Sequence, residues 1–120
     1  MADIMEFKKL IPNPQFNGVS DVEAQEVQDL QSKVKIIDVR RNDEYTGELG
    51  HIKGAELIVL DTVPENVNKI PKDKTVVLVC RSGGRSGQAA AFLQSQGFNN
   101  VVNMRGGMLQ WNELKLPVER

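Results

Sequence analysis

The sequence predicts an α/β domain built on a mainly parallel sheet, and three observations carry that expectation. Short apolar runs at residues 34–39, 56–60, 75–79 and 101–103 alternate with segments of helical period. The run at 75–79, Thr-Val-Val-Leu-Val, is apolar without alternation, as a strand covered on both faces of a parallel sheet must be. Turn and cap residues stand at the joints, so strand and helix follow one another along the chain.

In order, Ile4, Phe7 and Ile11 recur at helical spacing, with Leu10 beside them, before Pro12 and Pro14 stop any helix. A terminal segment packed on its own domain is expected here; a docking helix or a dimer contact would use the same pattern. Residues 17–19 are expected to form a short strand. Ser20 then caps a helix with Asp21 and Glu23 in its first turn and Val22, Val27 and Leu30 on its apolar face, running to about residue 32.

Residues 34–39 form a strand closed by Arg40-Arg41. Asp38 lies inside it, and a carboxylate in an apolar strand is costly unless hydrogen-bonded. Donors are therefore expected beside it, tying down a neighbouring loop. Asn42-Asp43-Glu44-Tyr45 reads as a helical turn, and Gly47 and Gly50 break the chain before His51-Ile52-Lys53-Gly54-Ala55. His51 has no sequence partner for general-base work and is expected to bond loop backbone. Residues 56–60 form a short strand. Asp61-Thr62 cap a helix over 63–69 with Pro64 in its first turn, and residues 71–74 turn into the central strand. Residues 88–96 form a helix with Ala89, Phe92 and Leu93 on one face and Gly97 as its C-terminal cap. Asn99-Asn100 lead into the strand at 101–103, and Gly106-Gly107 precede a last helical turn with Leu109 and Trp111.

At 120 residues the chain is expected to be one domain, without repeats or low-complexity segments. A formal charge of −1 supplies no general field for nucleic acid or an anionic membrane, so any anion preference must be local. One cysteine excludes an internal disulfide and fits a reducing compartment; with a single histidine beside it, a structural metal site is not expected. No apolar run approaches the roughly 20 residues needed to span a bilayer. The start of the chain lacks a signal-peptide pattern, and a cytoplasmic location is expected.

The chemistry concentrates at Val79-Cys80-Arg81-Ser82-Gly83-Gly84-Arg85-Ser86. Cys80 ends the buried strand, where open α/β sheets place their ligands. Gly83 and Gly84 let successive backbone N–H groups converge, and the following helix N-terminus also favours negative charge. A cysteine at such a cradle ionises more readily than a free one, and the thiolate is the nucleophile. Two chemistries use this arrangement. Cysteine phosphatases space cysteine and arginine one residue further apart than Cys80 and Arg85 stand, and no aspartate here is an evident general acid. A phosphatase or arsenate reductase is thus the weaker reading.

The chain resembles the single-domain rhodaneses, a sulfurtransferase family. The resemblance rests on Ile36-Ile37-Asp38-Val39-Arg40, Glu44-Tyr45, residues 50–55, residues 79–86, Met104-Arg105-Gly106-Gly107 and Trp111, in the family's order. It implies a rhodanese-like α/β fold over residues 20–118 after an extension at 1–19, with a five-stranded, mainly parallel sheet and helices on both faces. It implies that Cys80 carries a persulfide and that Arg81, Ser82, Gly83, Gly84, Arg85 and Ser86 bind the anionic sulfur and substrate, Arg85 near the substrate anion. Asp38, Arg40 and His51 fall on motifs that support structure. Glu44 stands where two-domain relatives carry a thiosulfate-binding arginine. The implied reaction moves a sulfane sulfur from a small anion such as thiosulfate to cyanide, a thiol or the cysteine of a small protein, without metal or organic cofactor. A non-catalytic rhodanese-like binding module is the rival reading.

Overall fold

The computed structural model describes residues 7–120. A six-stranded sheet runs in the order β1-β2-β6-β5-β3-β4, with β1 Ile11–Pro12, β2 Ser20–Val22, β3 Lys35–Asp38, β4 Glu56–Leu57, β5 Val76–Val79 and β6 Val101–Met104. β2, β6, β5, β3 and β4 pair in parallel, and β1 joins the edge antiparallel to β2. The expected five parallel strands are present, and the sixth comes from the segment before Ser20.

That segment departs from the expected helix. Phe7 is buried in the core, and Ile11 and Pro12 lie opposite Asp21 and Ser20. Proline donates nothing to a ladder, so an edge strand tolerates Pro12 where a helix interior would not. The expected helix at Ile4 lies partly outside the described residues. The strand expected at 17–19 falls instead at Ser20–Val22, after a turn in which Gly18 has φ +88°. Ser20 is therefore in the sheet, and α1, Ala24–Asp29, starts after Glu23 without a side-chain cap.

The other helices are α2 Asn42–Tyr45, α3 Gly84–Ser95 and α4 Gly107–Glu113. Residues 60–62 and 64–69 are 3-10 turns, so the strand expected at 56–60 is shorter and the helix expected at 63–69 tighter. α3 begins four residues before the expected start because Gly83, at φ +106°, turns the chain directly from the loop into the helix. Gly97, at φ +92°, follows its end, as expected of a cap.

The period of two along each strand sorts the core into two layers. Val77, Val79, Ile36, Val102 and Met104 face α1 and α4, where Val27 and Trp111 are buried. Val76, Leu78, Cys80, Ile37 and Val101 face α3, against Ala89, Ala90 and Leu93. Cys80 follows β5, which lies between β6 and β3, and so sits at the carboxyl end of the middle of the sheet.

Candidate functional site

Cys80 is 1% exposed. Its sulfur accepts a hydrogen bond from the Gly83 N–H at 3.0 Å. The left-handed φ of Gly83 makes that approach possible: it folds the loop back so that an amide three residues on reaches the sulfur.

α4 holds the rest of the cradle from outside. The Met108 N–H donates to the Cys80 carbonyl at 2.9 Å and the Leu109 N–H to the Arg81 carbonyl at 3.0 Å. In a trans peptide the carbonyl and N–H point in opposite directions. With both carbonyls drawn towards α4, the Arg81 and Ser82 N–H groups are turned the other way, away from that helix. This contact demands a glycine. A Cβ on Gly107, whose φ is +58°, would lie 2.5 Å from backbone atoms of Cys80 and Arg81. Gly106-Gly107 thereby aims the loop as well as starting a helix.

Arg85 leaves the first turn of α3 and meets Glu44 of α2. Its two terminal nitrogens donate to the two carboxylate oxygens at 2.8 Å each, a bidentate pair. Glu44 also accepts from the Arg41 backbone N–H. The Arg85 guanidinium beside it holds the Glu44 carboxyl at about 2, against the opposing effect of burial. The cation expected beside a substrate anion already has a carboxylate on it. Arg81 is exposed and makes no side-chain ion pair among the described residues. With Arg40, Glu44 and Leu49 it lines an opening of about 280 Å³ on one side of the loop. A second depression, of about 600 Å³ and lined by Pro12, Asn13, Ser82, Gly83, Gly84 and Arg105, lies on the other side.

Ser86 is fully buried, with its hydroxyl oxygen 3.3 Å from the Cys80 sulfur. That hydroxyl also lies 2.5 Å from Oδ1 of Asn103, whose Nδ2 donates to Asp21 at 3.0 Å. Of this row the sequence points to Ser86 alone; Asp21 reads locally as the first turn of a helix. Asn103, a polar residue in an otherwise apolar strand, carried the same signal that singled out Asp38.

Asp38, Arg40 and His51 lie around the loop that follows β3. Asp38 accepts from the Arg40 backbone N–H at 3.1 Å, from Nε at 2.9 Å and from Nη2 at 2.8 Å. Arg40 also donates to the Gly50 carbonyl at 2.7 Å, so the buried pair links the end of β3 to the 50–55 loop. His51 stacks on Tyr45 with ring centroids 3.7 Å apart. Its Nδ1 donates to the Tyr45 carbonyl at 2.8 Å, which puts a proton on that nitrogen. Its other nitrogen faces Glu119. Among the described residues no His, Cys, Asp and Glu cluster could hold a metal ion, and no helix is long and apolar enough to cross a membrane.

Comparison with known proteins points to one family. A sulfurtransferase of Allochromatium vinosum is 40% identical over 85 residues, covering 71% of this chain and 78% of its own. A Bacillus subtilis protein is 40% identical over 79 residues, but the match spans only 61% of that longer relative. A thiosulfate sulfurtransferase of Vibrio cholerae is 29% identical over 99 residues, covering 82% and 92%. The crystal structure of a rhodanese-like domain protein from Staphylococcus aureus superposes with a TM-score of 0.72 at 31% identity, covering 83% of this chain and 98% of that one. The model of the rhodanese-like domain matches residues 23–114, which include α1, Cys80, its loop and α4, and the chain belongs to that family.

Proposed function

We propose that this chain is a sulfurtransferase that carries a sulfane sulfur as a persulfide on Cys80. The observation that carries the reading is the cradle itself: a six-residue loop whose Gly83 N–H meets the sulfur while α4 holds the Cys80 and Arg81 carbonyls and so turns the Arg81 and Ser82 amides away from itself. Fixed amides aimed at one point stabilise charge on sulfur without reorganising. The sulfurtransferases among its relatives support the same reading.

The reaction runs in two steps through a covalent intermediate. The Cys80 thiolate attacks the outer sulfur of a donor such as thiosulfate. The donor's S–S bond breaks with its electron pair leaving on sulfite, and a Cys80 persulfide anion remains. An acceptor thiolate or cyanide then attacks the outer sulfur of the persulfide. The new bond to the acceptor forms as the Cys80 S–S bond breaks, and the thiolate returns. Neither step consumes a metal, an oxidant or a reductant. The loop from Arg81 to Ser86 receives the terminal sulfur; Asp38, Arg40 and His51 hold the surrounding backbone.

Arg85 bears on the donor. Its charge is matched by Glu44, so an anionic donor has Arg81 as the unmatched guanidinium at the mouth. Thiosulfate is then a serviceable but weakly held donor. The acceptor is a thiol, free or on a small protein, in a reducing compartment such as the cytoplasm, where Cys80 stays reduced. The transferring unit is residues 20–118, to which the extension before it adds the edge strand β1 and the buried Phe7.

Incubation of the reduced protein with thiosulfate, followed by intact-mass measurement, tests the proposal. Addition of one sulfur atom is expected, reversed by cyanide and absent in Cys80→Ser. No addition from thiosulfate or any other sulfane donor would leave a binding module as the better description.

A further inference from the structure

The row of polar side chains beside Cys80 follows from strand register. Asp21 of β2 and Asn103 of β6 are cross-strand neighbours, and Asn103 is the neighbour of Leu78 on β5. All three lie on the α3 side of the sheet, the side on which Cys80 lies two residues beyond Leu78. Asp21, Asn103 and Ser86 are 3%, 2% and 0% exposed, so their polar atoms must satisfy one another.

Only one assignment of protons does so. The Asp21 carboxylate accepts from Nδ2 of Asn103 at 3.0 Å and from Nδ2 of Asn13 at 2.9 Å. The Asn103 amide is thereby oriented with Oδ1 towards Ser86. An amide oxygen has no proton to give, so the 2.5 Å contact is the Ser86 hydroxyl donating to it. A hydroxyl has a single proton. The 3.3 Å contact would by distance let the hydroxyl donate to the Cys80 sulfur as well, but with its proton given to the much nearer Asn103 oxygen it turns its lone pairs to the sulfur.

We propose that Asp21 and Asn103 are positioning residues for Cys80, holding the Ser86 hydroxyl as an acceptor towards the sulfur instead of a donor. The inference rests on the reading of Cys80 as the sulfur carrier and deepens it. An acceptor at this place suits a thiol, which can donate its S–H, and disfavours a bare thiolate. In the persulfide the inner sulfur is bonded on both sides and carries no formal charge, while the anion is the outer sulfur in the cradle. The row thus favours the thiol and loaded forms over the bare thiolate. For Ser86 to serve the thiolate as a donor, it must give up its bond to Asn103.

The other charged groups around the loop are Arg81, Arg85 and Arg105, Glu44 behind Arg85, and the Asp38–Arg40 pair at the end of β3. All are retained in the variants that test the proposal. The measured quantity is the pH of half-ionisation of Cys80, from the ultraviolet absorbance of the thiolate as a difference against Cys80→Ser. Asn103→Leu removes the competing acceptor and frees the Ser86 proton for sulfur. A fall of about one pH unit is expected, a roughly tenfold gain in thiolate well below that pH. The fall should vanish when Ser86→Ala is added. Asp21→Leu lets the Asn103 amide turn and should act in the same direction, again through Ser86.

No fall in Asn103→Leu, a rise, or an equal fall in the Ser86→Ala background would overturn the proposal. If Asn103→Leu does not fold, Ser86→Ala alone decides. Loss of an acceptor leaves the half-ionisation pH unchanged or lower, whereas loss of a donor raises it and sinks the idea. None of these measurements uses a sulfur donor, so failure of persulfide formation would be read separately.

Discussion

Two carboxylate–guanidinium pairs flank α2, alike in chemistry and opposite in setting. Asp38 and Arg40 are two residues apart at the end of β3, with both side chains 1% exposed. Glu44 and Arg85 are 41 residues apart in sequence, with side chains 15% and 34% exposed. The first pair is sealed, and it also holds the Gly50 carbonyl. The second joins α2 to α3 beside the Cys80 loop, where water can compete for it. A buried pair is hard to improve and costly to break, because removing one partner strands the other in an apolar interior. A partly exposed pair is worth less to the fold and can be exchanged. The same two functional groups thus make a structural lock in one place and, on the function proposed above, an occupied substrate subsite in the other.

The largest effect is expected from Arg40→Met, which leaves Asp38 buried and uncompensated. A loss of about 3–5 kcal/mol in unfolding free energy is expected by denaturant titration. Arg85→Met should lose about 1–2 kcal/mol, since its site is partly solvated. Equal losses would erase the distinction between lock and subsite.

The acid limb of stability separates the pairs next. Glu44 is held at about 2 by Arg85, below the ordinary 4.5. The unfolded chain therefore binds its proton first as pH falls. The stabilisation is fully present above about pH 5 and is lost progressively as pH drops towards 2. After allowance for screening this is about 1–2 kcal/mol. Denaturant midpoints across that range should show a shallower acid slope in Glu44→Gln than in the wild type. Identical slopes would mean that Arg85 does not hold Glu44 in solution.

The smallest effect is kinetic. Glu44→Gln releases Arg85 to an anionic donor, and kcat/KM for thiosulfate should rise about fivefold, close to the worth of one ordinary hydrogen bond in a partly solvated site. Arg85→Lys should not reproduce the rise, because a point charge lacks the planar fork. A fall with Glu44→Gln would show that the carboxylate serves donor binding and does not compete with it.

The unequal legibility of these parts has physical causes. The strand at 75–79 was readable because an unbroken apolar run has few folded uses, and Asp38 because an acid in such a run needs donors. Asn103 carried the same signal more faintly, since an amide is a less costly group to bury than a carboxylate. Asp21 was misplaced because Ser20-Asp21 reads locally as a helix start. Pairing with Ile11 and Pro12 on one side and β6 on the other drew those residues into the sheet. The six-residue span from Cys80 to Arg85 was plain from counting. Its aim was not, because the α4 amides that turn its peptides lie 28 residues downstream in Met108 and Leu109.

The α/β class, the place of Cys80 at the end of a buried strand and the length of the loop after it are all legible in the sequence. Those features depend on local periodicity and on spacing along the chain. Only the tertiary structure decided that Arg85 is taken by Glu44, that α4 turns the loop, and that Asp21 and Asn103 stand behind Ser86. Each of these is a contact between groups distant in sequence, and its partner is chosen by sheet register and helix packing, which no local pattern encodes.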